Sequence, residues 1–345
     1  MTASSPPLRL LLDGEALADN WRALDRLSGS AVCGAAVKAD GYGLGAAGVA
    51  TRLAAAGCRD FFVATWAEAA ALAPLGLNVS VLHGVRDEDM GIAREGIARP
   101  VLNTPIQVER WKAAGGGACD VMVDTGMNRL GVSTTALAAG LLDGLAIETL
   151  MSHLACADED AGMNARQQAG FAALAGATNA RRMSLANSAG IVLGPAYTFD
   201  LTRPGLALYG GTPRGEYEAI VRPVATPQAQ VLQRRRVPTG DTIGYNATWT
   251  APADTEVAIL NIGYADGYFR GFSDRGFARW GDAALPVLGR VSMDLLAIGV
   301  DDAAGIGEGD WLTIDLTLAD AASVSGMSQY ELLTSLGGRY ARRWI

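Results

Sequence analysis

The sequence predicts an α/β chain, a parallel (β/α)8 TIM-like barrel followed by a C-terminal antiparallel β domain. Three observations predict it. Short apolar runs alternate with alanine-rich segments of helical period over the first two thirds. These strand–helix units number eight over roughly two hundred residues, the span such a barrel needs. Beyond about Ile220 the helical period fades, and short alternating runs punctuated by Pro, Gly, Asn and Asp take over. A doubly wound open sheet is the competing architecture, disfavoured because no GxGxxG closes a first strand.

After the strand-like LRLLL, Leu17, Trp21 and Leu24 recur at i, i+4 and i+7 behind Asp13 as a candidate cap, which predicts an amphipathic helix. Buried strands are expected at Val32–Val37, Phe61–Ala64, Val79–Leu82, Pro100–Leu102, Val121–Val123, Ile147–Ser152, Arg182–Leu185 and Thr198–Thr202. Helical patterns such as PIQVERWKAAG and NARQQAGFAALAGA connect them. The expected barrel domain is 8–220 and the β-rich domain 221–345, with a first strand at about 7–12 available to pack with the latter. Near the end, MSQYELLTSLGGRY reads as a helix with Ser328 as its cap.

Charge and composition exclude several classes. The net charge is −8, which gives no electrostatic footing for nucleic acid or an anionic membrane. The one basic run, Arg234 to Arg236, reads as a solvated strand end. Four widely spaced cysteines without a CxxC read as reduced thiols. The acidic stretch ADEDAG reads as a solvated loop, and no metal is expected. The N-terminus lacks a basic n-region and no apolar run is long enough to span a bilayer, so a cytoplasmic location is expected.

Of the 28 basic residues, only Lys38 and Lys112 are lysines. Lys38 follows the first predicted barrel strand, where an amine in an apolar setting releases its proton more readily and can form a Schiff base with an aldehyde. A guanidinium stays protonated and cannot do this. Arg129, His153, Ser188 and Arg203 also fall at predicted strand ends, on the rim where such barrels place their chemistry. His83, at the end of the third strand, reads as structural. NSAG and RPGLALYGG put a hydroxyl and small residues beside the last two strands, where a phosphate site commonly forms. An amine that bonds an aldehyde, next to a phosphate site, points to pyridoxal 5′-phosphate.

VKADGYG, VDTGMNRLG, SHLACAD, ANSAG, RPGLALYG, GYNATW, IGYADGY and GRVSMD occur in the order and spacing of bacterial alanine racemases. The chain resembles that family, and so the fold-type III pyridoxal-phosphate enzymes, from about Leu8 to its last helix. The resemblance implies an L-alanine/D-alanine interconversion that supplies D-alanine for peptidoglycan, carried out by a head-to-tail homodimer with shared sites. Lys38 would hold the cofactor and act as base on one face, with Tyr245 of the partner as base on the other. Tyr42, Ser188, Gly205, Leu206 and Tyr330 would bind the phosphate, and Arg203 the pyridine nitrogen. His153 would lie against the ring and connect to Tyr245. Arg129 and Met293 would face the substrate carboxylate, and Tyr264 and Asp294 would line the entrance. A tyrosine base needs cationic neighbours, and Arg203 and His153 are the expected suppliers of that field.

Three positions depart from the family pattern. Ser184 stands where a histidine is common, which implies that Arg203 loses a hydrogen-bonding neighbour. Met122 stands where many members have a lysine that braces the carboxylate-binding arginine, so Arg129 must be held by another group, such as a bound anion. Leu44 replaces a histidine and reads as a packing change. Competing readings are a racemase of serine, lysine or ornithine, a decarboxylase or aldolase on the same scaffold, and a non-catalytic pyridoxal-phosphate carrier.

Overall fold

The computed structural model describes residues 6–345. These form two compact units, one running Glu15–Arg222 and the other joining the chain's start, through Gly14, to Pro223–Ile345. Strand β1 (Leu8–Leu12) belongs to the second unit.

The first unit is the barrel. Its first strand position is shared by β2 (Val32–Cys33) and β3 (Ala35–Ala36). The others are β4 (Asp60–Val63), β5 (Asn78–Val81), β6 (Arg99–Leu102), β7 (Cys119–Met122), β8 (Ile147–Met151), β9 (Arg182–Ser184) and β10 (Leu201–Thr202). From β3 to β9 each strand pairs in parallel with the next. Both faces are buried, so DFFV at β4 and CDVM at β7 are covered throughout. The circle closes because β10 pairs in parallel with β2, with Gly34 N–H donating to Thr202 O at 2.9 Å and Ala36 N–H to Pro204 O at 2.8 Å. On its other side the same segment reaches β9 and the residues after it, through Asp200 N–H to Met183 O at 3.0 Å and Arg203 N–H to Ala186 O at 2.9 Å.

Two predicted strands fall short by more than a terminal residue. Val32–Val37 is interrupted at Gly34, where a Cβ would come within 2.8 Å of the Phe62 ring and 2.9 Å of Asp60 O. Only glycine lets the neighbouring backbone approach that closely. Thr198–Thr202 instead starts as the end of a helical turn, Pro195–Thr198, and Phe199 turns the chain at φ 49° before β10 begins. Local capping sets the helix starts. Thr65 and Glu68 form a reciprocal capping box on Trp66–Leu72, and Thr104 caps Pro105–Ala113 with proline at its first position.

In the second unit β11 (Ala225–Val237) is the spine. It pairs antiparallel with β1, and β1 pairs in parallel with the last strand of the chain, Ala341–Trp344. Leu8, Leu10 and Leu12 are buried while Arg9 and Leu11 are half-exposed, the two-residue period of a one-sided strand. Antiparallel partners Thr255–Leu260, Phe277–Trp280 and Trp311–Ile314 extend the sheet. A core of Val237, Ile243, Ala251, Val257 and Leu288 fills one end. The arginine run sits at the end of β11, with Arg234 paired to Glu256 and Arg236 to Asp254. Ser328 caps Gln329–Thr334. Among the described residues, no helix is long and apolar enough to cross a membrane.

Asn20 ties the barrel's first helix, Gly14–Leu27, to the unit's final turn. It is fully buried, donates to Leu208 O at 3.1 Å and Arg222 O at 2.8 Å, and accepts from Arg222 N–H at 2.8 Å. Asn20→Ala removes three hydrogen bonds, one of them to the buried Leu208 carbonyl, and should destabilise the protein by about 2 kcal/mol. A lowered urea midpoint measured on the full chain checks this.

Candidate active site

Lys38 stands immediately after β3 and Val37, at the head of a short turn through Tyr42. Ala39, Asp40, Gly41 and Tyr42 have φ of 53°, 53°, 63° and 54°. Three non-glycine residues in the left-handed region cost about 1 kcal/mol or more each, so the surroundings must enforce the turn. They do. Glu68 Oε1 accepts from Ala39 N–H at 2.7 Å, and Asp40 Oδ1 accepts from Ala46 N–H at 2.8 Å. The Tyr42 ring stacks on Tyr209 at 4.6 Å, and Tyr209 Oη–H donates to Ala36 O at 2.9 Å. Burial and the charge of Arg129 lower the proton affinity of the Lys38 amine, against an opposing pull from Glu68. Glu68 and Tyr209 were not singled out in the sequence. The T-x-x-E spacing of Thr65 and Glu68 marks a helix start, but not this second bond of Glu68 to the turn.

The glycine-rich ends of the last two strands form a second cluster. Ser188 is buried at the start of Ser188–Ile191, and its Oγ accepts from Gly205 N–H at 2.9 Å and Ala207 N–H at 3.2 Å. A hydroxyl that accepts twice keeps one hydrogen to donate. A Cβ on Gly205 would lie 2.2 Å from Tyr42 Oη, so the absence of a side chain there admits the phenol. Leu206 is buried and begins the short helix Leu206–Tyr209.

Arg203 is buried between these clusters. Its guanidinium donates to Ser184 Oγ, to Ser152 O at 2.5 Å and to Leu185 O at 3.5 Å. Ser184 Oγ–H in turn donates to Leu201 O at 2.5 Å, which leaves the oxygen to accept from Arg203. The expected loss of a neighbour at position 184 is therefore corrected: the serine is itself the hydrogen-bonding neighbour. Burial brings Arg203 down to about 10, which still leaves it cationic at neutral pH.

His153 corrects a second expectation. Burial and the charges of Arg203, Arg129 and Lys38 push it down to about 3. It is neutral at physiological pH, so it offers a hydrogen bond and no cationic field. Its backbone oxygen accepts from Gln167 Nε2 at 2.9 Å. Arg129 is exposed in the loop after β7, where Asp124 Oδ1 accepts from Gly126 N–H at 2.8 Å and Asn128 N–H at 3.1 Å. Met122 is buried at the end of β7.

The remaining predicted residues lie in the second unit. Tyr245 is 65% exposed at the head of Tyr245–Ala247, beside a groove of about 510 Å³ that Arg235, Arg236 and Arg290 also line. Tyr264 N–H donates to Ser292 O at 3.0 Å, and Ala265 N–H to Met293 O at 3.1 Å, so Tyr264 and Met293 are held side by side. Asp294 accepts from Arg339 at 2.7 Å, and Arg339 is itself clamped on the fully buried Asp266 at 2.7 and 2.8 Å. Tyr330 is on Gln329–Thr334. The structure thus brings Lys38, Tyr42, Arg129, His153, Ser188, Arg203, Gly205 and Leu206 together on the barrel, and Tyr264, Met293 and Asp294 together on the β unit.

An amine with loosened proton affinity, a hydroxyl with a hydrogen to give and a buried arginine, all at one barrel mouth, suit a phosphate-bearing aldehyde. Similarity to known proteins agrees. The family model for the alanine racemase N-terminal domain matches residues 12–213, and that for the C-terminal domain matches 224–344. An alanine racemase of Acidiphilium cryptum is 43% identical over 352 residues, covering 96% of this chain and 97% of its own. That of Rhodospirillum rubrum is also 43% identical, over 97% of this chain and 95% of its own. The alanine racemase of Bartonella henselae, solved with covalently bound pyridoxal phosphate, superposes with a TM-score of 0.90 at 32% identity, covering 99% of this chain and 100% of that one. Matched along both units and to this depth, the chain belongs to the alanine racemase family.

Proposed function

We propose that the protein interconverts L- and D-alanine with pyridoxal 5′-phosphate, using Lys38 and Tyr245 as bases on opposite faces of the substrate. The observation that carries this is the placement of Lys38, an amine at a barrel strand end whose proton is loosened by burial and by Arg129. Ser188, Gly205, Leu206 and Tyr42 fit the cofactor phosphate, since the Ser188 hydroxyl keeps one hydrogen free of the two N–H groups it accepts. By the family resemblance Tyr330 would add to that set, and Arg203 would hold the ring nitrogen with a proton it does not release at neutral pH. Bound there, the cofactor supplies an electron sink that makes the substrate Cα proton removable.

Each residue then has a task. Arg129 and Met293 orient the substrate carboxylate. Lys38 takes or returns the Cα proton on one face, and Tyr245 does so on the other, so the substrate need not turn over. Neutral His153 would lie against the cofactor ring and accept a hydrogen bond from the Tyr245 lent by the second copy. Tyr264 and Asp294 line the entrance, and Met293 with Tyr264 narrows it, which favours alanine over lysine or ornithine. Tyr245 is exposed within its own subunit, which supports its being lent to the site of a second copy in a head-to-tail homodimer. The biological role is supply of D-alanine for peptidoglycan in the cytoplasm.

The direct test incubates purified holoenzyme with L-alanine in D₂O. Deuterium at Cα with loss of optical rotation is expected; carbon dioxide release, no exchange, or faster turnover of lysine than alanine would reject the assignment. Tyr245→Phe should slow racemisation by ~10²–10⁴-fold, as loss of one proton-transfer group does. Mixing inactive Lys38→Ala with inactive Tyr245→Phe should recover roughly a quarter of wild-type activity, because half the dimers are mixed and each holds one intact site.

A neutral, half-buried histidine also sets a pH dependence. Its folded value of about 3 lies below the ordinary 6.5, so the unfolded chain binds more protons between them and stability falls as pH drops through that window. The slope should reach ~1.4 kcal/mol per pH unit and be reduced in His153→Gln, read from urea unfolding of the apoprotein across that range.

A further inference from the structure

Below the mouth, the barrel interior holds a layer of charge that none of these roles uses. Asp120 on β7 is level with Thr149 on β8, and Thr149 is level with Arg182 on β9. Ser80 Oγ–H donates to Asp120 Oδ2 at 2.6 Å, and Arg99 Nε stands 3.4 Å from the same oxygen. Arg182 donates to both oxygens of Asp60, at 3.1 and 2.8 Å, so that carboxylate is taken. Asp120 is fully buried, yet its Oδ1 has no hydrogen-bond partner among the described residues. An unsatisfied buried carboxylate oxygen is costly, and stability alone gives no reason for it.

Ser184 lies two residues beyond Arg182 on the same strand, level with Met151 and Met122. A two-residue rise is about 6.6 Å. Ser184 is also the anchor of Arg203, so the Arg203 guanidinium is held one step above the Asp120 layer. Every acceptor Arg203 has among the described residues is neutral: Ser184 Oγ, Ser152 O and Leu185 O. A buried cation without a carboxylate and a buried carboxylate with a spare oxygen thus occupy neighbouring levels of one interior. Opposite charges act on each other there well beyond hydrogen-bond range.

We propose that Asp120 is the buried counter-charge of Arg203, a positioning residue that holds the guanidinium in place from one layer below. On the Arg203 side the balance of charges agrees. Burial loosens the Arg203 proton and Asp120 opposes that effect. Burial raises the Asp120 carboxyl, while Arg99, Ser80, Thr149 and Arg182 favour its ionised form. Asp120 reaches neither cofactor nor substrate in this scheme. It acts only through Arg203.

The coupling must be reciprocal, so removing one charge must weaken ionisation of the other. In apoprotein carrying ¹³C-carboxyl aspartate, the Asp120 resonance is the one missing from Asp120→Asn. Arg203→Gln should raise its titration midpoint by roughly 1 unit, while Arg203→Lys, which keeps the charge, should leave it near wild type. A midpoint unmoved by Arg203→Gln overturns the proposal. Should that variant fail to fold, Ser80→Ala gives a second arm: loss of the donated hydrogen bond raises the Asp120 midpoint, and the acid limb of kcat for the holoenzyme should move up with it. An acid limb that stays in place while the midpoint moves would equally overturn it. That arm rests on the racemase reading and the apoprotein titration does not, so the two fail separately.

Discussion

The hydrogen bonds that join the last barrel strand to the first are the constraint on which the site depends. Lys38 and Arg203 stand at opposite ends of the barrel's sequence, and only closure at Gly34–Thr202 and Ala36–Pro204 puts them on one rim. The same closure brings Gly205 up to the Tyr42 phenol and sets Gly205 N–H on Ser188 Oγ. Ser28 Oγ and Thr202 Oγ1, 2.8 Å apart in the interior, tie the first barrel helix to the closing strand. Three segments far apart in the chain are thereby fixed at hydrogen-bond precision, as a site of several converging groups requires.

The barrel was legible because strands buried on both faces read as short continuous apolar runs, and capped helices lie between them. The break at Gly34 was not, because its cause is the Phe62 ring of the next strand. The eighth strand was misjudged for a related reason: TFDLT looks extended throughout, but Phe199 turns the chain and only Leu201–Thr202 pair with β2. Residue types at the rim, Lys38, Ser188 and Arg203 among them, were legible from their positions at strand ends. Their states were not. ADGY shows one glycine, and nothing local says that Ala39, Asp40 and Tyr42 also become left-handed; Glu68 and Tyr209 decide that from elsewhere in the barrel.

Ser184 and His153 show the same division between identity and environment. A serine is shorter than the histidine common at position 184, and residue type alone implies the loss of a hydrogen bond to Arg203. In the folded barrel the guanidinium reaches the hydroxyl, and the hydroxyl is oriented by Leu201 O. His153 would titrate near neutrality in water, but three cations and burial keep it unprotonated. The sign of a histidine's contribution is a property of its neighbours, and those neighbours come from the turn after β3, from the loop after β7 and from the segment after β10.

These cations also explain why the mouth sets a lysine at position 38 among arginines. At the mouth Lys38, Arg129 and Arg203 act together on one neutral imidazole, in a protein whose net charge is −8. The overall negative charge does not keep carboxylates or phosphates away, because surface charge is screened within about 8 Å at physiological salt. Inside that distance the local cations dominate, and in the low-dielectric mouth their pull on an anion is stronger still. A site that must also move a proton cannot let all its cations titrate. Arginine holds its proton through the working range and keeps the field constant, while burial and Arg129 loosen the proton of the one amine among them. The other lysine, Lys112, is on the surface and donates to Leu141 O at 2.8 Å, far from that task. On the proposed assignment fixed charge and mobile charge fall to different side chains, and an arginine at position 38 would remove the amine whose proton burial and Arg129 loosen.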